Sequence, residues 1–280
     1  MRPVFRAIFV AVFIATSLGL PPANLSAENP CFRLLRIISA ENENVDAWAE
    51  AVSALNPIAW YRLGEQSGVT AYDETGSFNL TYTNGVTLGR PRLFSGGGSN
   101  TDVDINRGSN QYIIGDPLPM LTEFTVGAWI KTTWKGDYNW FFGNTDTSTG
   151  NWNGYSLRTD ITTGYLAGVA CDGTTPPACG SVVGTQDLAD GNSHLVIYTY
   201  KLIGGNATAS LWYDGAYDTT TSDIANGEIN PSKPAQDVRI GEFNNGGYNA
   251  DLEIGEVFVA PISATSAQLA ALAAAAGDAE

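Results

Sequence analysis

The chain has 280 residues, room for one large domain or two small ones, and its 44% hydrophobic content allows a sizeable core. Only 15% of residues are charged, and 7 Trp, 12 Tyr and 11 Phe stand among 31 Gly and 13 Pro, which excludes a disordered polymer and argues against a helical bundle. A net charge of −15 sets aside nucleic acid and anionic membrane surfaces as partners, and one His with three Cys offers too few ligands for a structural zinc site.

At the start, Arg2 and Arg6 precede an apolar run over 7–20 that breaks at Pro21 and Pro22. That order is the pattern of a secretory signal over 1–27, with Ala23 or Ala27 as cleavage candidates. The run is shorter than the about 20 apolar residues of a spanning helix, so no stable membrane span is expected after processing. Residues 28–55 read as a linker, in which Cys31 has no local partner. Val45, Trp48, Ala49, Val52 and Leu55 recur at helical spacing, which predicts a short amphipathic helix over 46–55 that stops before Pro57.

From Ile58 onward, short aromatic and β-branched runs recur between Gly, Asn and Asp turns: IAWYRL, FNLTYT, FTVGAWIKTTW, NWFFG, GYSLRTD, YLAGVA, SHLVIYTYK, TASLWYDG, DVRIG and LEIGEVFVA. In the strand around Trp129, Phe124, Val126, Ala128 and Ile130 share one face and Thr125, Gly127, Trp129 and Lys131 the other, so one face is core. About a dozen strands over 56–262 exceed an immunoglobulin-type domain and point to a larger two-sheet sandwich. No helical runs separate the strands, which excludes a parallel α/β fold, and no repeat supports a propeller. Cys171 and Cys179 bracket the turn DGTTPPA; a disulfide there suits an oxidising compartment, with two free thiols as the alternative. Over 263–280, Ser263 or Thr265 can cap an Ala-rich helix, Thr265 and Gln268 being spaced as a capping box, before a fraying tail. Asn24, Asn79 and Asn206 begin Asn-x-Ser/Thr sites that matter only in a host that glycosylates.

PIAWYRLGEQSG, AYDETG and NLTYTNGVTLG, followed in order by EFTVGAWIKTT, DGNSHLVIYTY, TASLWYDGA, DVRIGEFNN and LEIGEVFVAPISATSAQLAAL, resemble the strands of laminin-G-like, concanavalin-A-like jelly-roll domains. The resemblance runs from Asn56 to Leu272. It implies an all-β, two-sheet antiparallel jelly-roll sandwich, flanked here by short helices. It further implies a non-catalytic module, secreted, whose surface binds a glycan or protein for attachment. A structural domain of a phage virion is the alternative, and homo-oligomer or virion assembly stays open. Two departures stand out: Ser193 replaces a Trp before His194, and Asn106 stands where an Asp often precedes a Gly.

Domains of this kind often hold Ca2+ through loop oxygens, which nominates Asp102, Asp104 and Asn106, with Asp146 or Asp172 from other loops; solvent-facing turn residues are the alternative. Related sandwich glucanases carry Glu-x-Asp-x-x-Glu on one strand. Asp251, Glu253 and Glu256 keep that spacing with Asp and Glu exchanged, so a secreted β-glucan hydrolase is a second alternative. On a regular strand Glu256 points away from the other two unless a bulge re-aims it. His194 with Asp190 lacks a G-x-S-x-G elbow and reads as a packed, hydrogen-bonded pair.

The candidate ligand-binding set is Trp134, Tyr138, Asn139, Asn151, Trp152 and Tyr155, crowded into 22 residues with Trp140 and Asn144. Indoles stack on the C–H faces of sugar rings and amides satisfy hydroxyls; protein partners favour the same residue types. The alternative is a core strand in which NWFFG buries alternate aromatics, with Trp129 and Trp140 inside.

Overall fold

The computed structural model describes residues 46–146, 152–174, 179–222, 229, 235–243 and 247–277, so the expected signal, most of the linker, Cys31 and Asn151 lie outside the described residues. Their β-branched and aromatic alternation yields strands numbered here in chain order. One antiparallel sheet has the order β14 (Ala216–Ser222), β13 (Asn206–Tyr213), β12 (Ser193–Ile203), β7 (Glu123–Lys131), β18 (Leu252–Ala260), β5 (Asp102–Ile105) and β4 (Thr87–Arg90), with β1 (Ala59–Tyr61) also paired to β18. The other has the order β11 (Cys179–Asp187), β10 (Tyr165–Asp172), β9 (Asn153–Thr159), β8 (Trp140–Asp146), β15 (Asp237–Ile240), β6 (Tyr112–Gly115), β3 (Leu80–Thr83) and β2 (Thr70–Ala71). A two-stranded hairpin, β16 (Glu242–Phe243) and β17 (Tyr248–Asn249), completes the all-β, jelly-roll-like sandwich.

Between the sheets, Phe124, Val126, Ala128 and Ile130 pack with Phe142, Tyr155, Leu157 and Tyr198, as the alternation in β7 predicts. The opposite face of β7 is also buried. Trp129 and its neighbours Ile197 and Phe258 form a second cluster with Trp48, Leu93, Phe94 and Leu272. Two helices cover it: α1 (Ala47–Ser53), which buries Trp48 and Val52, and α2 (Ser266–Ala276), which buries Leu269 and Leu272. The expected helix near residue 50 thus belongs to the compact unit that begins at Ala47, rather than to a linker outside it. Thr265 caps α2 through the reciprocal bonds of a capping box with Gln268. At Gly127 a Cβ would stand 2.4 Å from the Phe258 ring, so only glycine lets this outer layer close onto the sheet.

Glu256 ties the layer together. Beside it the pairing of β18 with β7 shifts register between Gly255 and Phe258, and Glu256 adopts φ +53°, a conformation costing a bulky residue about 1–3 kcal/mol. The bulge turns its carboxylate outward under α1, where it is 0% exposed. One oxygen accepts Trp48 Nε1 at 2.9 Å and Trp60 Nε1 at 2.8 Å. The other accepts Arg62 Nε at 3.1 Å, Arg92 Nη2 at 2.6 Å and Asn100 Nδ2 at 3.3 Å. A dry carboxylate is tolerated only with such partners, and removing its charge takes the anion from two guanidinium groups. Glu256→Gln is expected to lower unfolding stability by about 3–5 kcal/mol, seen as a reduced midpoint in urea; an unchanged midpoint contradicts this role.

Candidate functional site

The bulge places Glu256 on the same outer face as Glu253, yet Asp251, just before β18, and Glu253 and Glu256 within it do not assemble a catalytic pair. Glu256 is sealed beneath Trp48 and Trp60, and Glu253 is bound to Arg90 Nη2 at 2.8 Å. The Asp251 backbone is held by Asn139 and Thr132, its N–H donating to Asn139 Oδ1 at 3.0 Å. The hydrolase alternative therefore loses its acid/base group to structure.

The expected calcium ligands do not converge either. Asp102 and Asp104 share the outer face of β5, where Asp102 is fully buried and takes the Leu93 N–H at 2.7 Å. Burial pushes its carboxyl up to about 7, against the Leu93 bond and the Arg92 charge. Asn106 lies past the strand end and turns its side chain to cap the Ser109 N–H at 3.1 Å. Asp172 closes its own turn through Thr174. Among the described residues no group of three or more His, Cys, Asp or Glu is placed to hold a metal.

A pocket of about 270 Å³ lies on the outer face of the other sheet, over β8, β9 and β10. Gly154, Ser156 and Gly180 line it together with Cys171 and Cys179, which pair across β10 and β11 and form the disulfide. At Gly154, with φ +121°, any Cβ would meet the Asn144 carbonyl at 2.0 Å, so this position is kept bare. The hairpin of β16 and β17 folds over β8 and brings Phe243 flat onto Trp140, at 4.2 Å and 7°. Trp152 meets Phe243 edge-on at 5.9 Å and 82°, and is 41% exposed. Tyr248 and Tyr138 extend this aromatic corner. Arg158, the cross-strand partner of Trp140, lays its guanidinium 3.7 Å from the centre of the Tyr138 ring.

Of the candidate ligand residues, Tyr138, Trp152 and Tyr155 line this pocket and Asn151 lies outside the described residues. Tyr155 does not present its ring there: it is in the core against Phe124 at 4.1 Å, because alternation along β9 places it on the same side as Leu157. Asn139 is fully buried, its amide bonded to Thr132 and its carbonyl to Asp251. Trp134 packs under Arg107, whose guanidinium carbon is 4.8 Å from the ring centre, away from the pocket. Sequence reasoning missed Arg158, Phe243 and Tyr248, which come from other strands. The aromatics flanking the Gly-rich turn after DVRIG were the one local signal for the last two.

No family model matches the chain, and no curated protein matches it. Solved structures do. Botulinum neurotoxin type C, whose cell entry is dependent upon interaction with two ganglioside molecules, superposes with a TM-score of 0.58 at 13% identity, over 81% of this chain and 53% of that one. The serotype D ligand binding domain in complex with N-acetylneuraminic acid gives 0.56 at 14%, over 80% and 52%. The binding domain of Paraclostridial Mosquitocidal Protein 1 gives 0.55 at 13%, over 78% and 52%. This chain spans about half the length of each, and at these identities the likeness establishes the fold.

His194, on the first sheet, sits in a cluster of its own. Its Nδ1 is 2.9 Å from Asp214 and its Nε2 3.0 Å from Asp190, with the Tyr213 hydroxyl at 3.1 Å. Burial alone lowers its pKa, but the bonds to Asp214 and Asp190 outweigh it, so the imidazolium is favoured above the usual 6.5. Burial likewise raises Asp190, while the Asn192 N–H and His194 bring it down to about 2. A raised histidine stabilises the fold below pH 6.5, and that contribution disappears as pH climbs through its folded value. The unfolding midpoint is accordingly expected to fall as pH increases above 6.5, and to fall less in His194→Gln. Identical pH profiles for the two proteins would show that the cluster does not hold the proton.

Proposed function

We propose that the chain is a non-catalytic recognition module of laminin-G-like type, which binds a saccharide unit in the aromatic pocket of the second sheet and serves attachment at an extracellular surface. The observation that carries this reading is the corner made by Trp152 with the Trp140–Phe243 stack. An exposed indole offers a flat apolar platform for a pyranose ring, and its perpendicular neighbours fix the orientation. The sites for hydroxyls are polar groups around it, including Ser156, Ser181 and the donors of Arg158. Work of this kind is passive. A single shallow pocket gives modest affinity, and repeated copies on a polymer or surface raise avidity without new contacts. The ganglioside and N-acetylneuraminic acid partners of the neurotoxins lend support to a glycan reading of the shared sandwich.

A survey of immobilised surface polysaccharides is the direct test. Trp152→Ala is expected to weaken binding at least about tenfold, and Trp152→Ala with Phe243→Ala to abolish it. Trp134→Ala, which lies outside the pocket, leaves it unchanged. Undiminished binding in the double variant would contradict the proposed face.

A further inference from the structure

Within the reading of the pocket as a saccharide site, on which this inference rests, Arg158 carries information about the ligand. Among the described residues the other arginines, Arg62, Arg90, Arg92, Arg107 and Arg239, each bond a carboxylate. Arg158 bonds none. Its Nε and Nη1 are buried with no hydrogen-bond partner, and so is Nε1 of Trp140 directly across the strand pair. Among the described residues no Asp or Glu lines the pocket, although the chain carries 29 acidic residues against 14 basic. Among the described residues the one pocket-lining ion is therefore a cation without a carboxylate counter-ion, in a chain of net charge −15.

Two rings hold that cation: its guanidinium carbon lies 3.7 Å from the Tyr138 centroid and 5.2 Å from that of Trp140, and no carboxylate among the described residues competes with them. Buried donors without partners are costly and uncommon, and a guanidinium edge matches a carboxylate through two parallel bonds. The pocket, about 270 Å³, has room for one ring. We infer that the module prefers an acidic saccharide, in which a sugar ring rests on Trp152 while its carboxylate is taken by Arg158. A uronate and a sialate share this chemistry, and the experiment separates them.

Calorimetric titration of the full chain with two matched pairs tests it: a galacturonate trimer against its methyl ester, and sialyllactose against lactose. In at least one pair the acid is expected to bind at least about tenfold tighter than its neutral partner, with an advantage that shrinks in about 0.5 M NaCl. Arg158→Gln should bring the acid down to its neutral partner's affinity, and Arg158→Lys should restore only part of the difference, because an ammonium keeps the charge without the fork. Thermal unfolding of both variants verifies that the fold is kept. Equal affinity for acid and neutral partners, still dependent on Trp152, overturns the acidic preference and leaves the saccharide reading standing. No binding by any of the four probes also overturns the preference, and the polysaccharide survey then decides the saccharide reading alone.

Discussion

The structure turns on one buried carboxylate. Glu256 collects two indoles, two guanidinium groups and an amide from α1, β1 and the residue after it, and the segment preceding β5, and so closes the outer face of the first sheet. Its left-handed conformation and the bulge around it are strain held in place by those bonds. Behind the carboxylate lies a complete second core: Trp48, Phe94 and Trp129 pack ring against ring, the closest pair at 4.7 Å. With α1 and α2 over it, this face is committed to stability. An aromatic surface on the second sheet is free of that duty, and it is there that the pocket forms.

Most of the described arginines are paired with carboxylates. On the first sheet Arg62 and Arg92 satisfy Glu256, and Arg90 satisfies Glu253, so each charge is cancelled where it is buried. On the second, Arg239 is bound to Asp237 and Glu242, which braces the start of the hairpin that carries Phe243. Among the described arginines, Arg158 is the one held by rings and by no carboxylate. That unpaired guanidinium is what the proposed acidic ligand would complete.

What was legible in the sequence was local. The alternation of β7 identifies its core face, the i, i+3, i+4 spacing identifies α1, and Thr265 with Gln268 announces the cap of α2, because each pattern lies within a few residues. The turn between Cys171 and Cys179 likewise brings its own ends together. The function of Glu256 was not legible: its partners Trp48 and Trp60 are 208 and 196 residues away in sequence, and a bulge reverses the face that strand periodicity assigns. The pocket was half legible. Tyr138 and Trp152 stand out by composition, whereas the burial of Asn139 and the turn of the Tyr155 ring into the core do not, because crowding of aromatics and amides does not reveal which side of a strand they take. Arg158 becomes meaningful only once the pairing of β8 with β9 sets it beside Trp140.

The central claim is that recognition belongs to the open aromatic face of the second sheet and not to the sealed face of the first. The chain's 7 tryptophans report on both. Indole N–H resonances followed during titration with an acidic oligosaccharide should shift for Trp140 and Trp152 while those of Trp48, Trp60 and Trp129 stay fixed. Shifts confined to the second group, with Trp140 and Trp152 unmoved, would contradict the account.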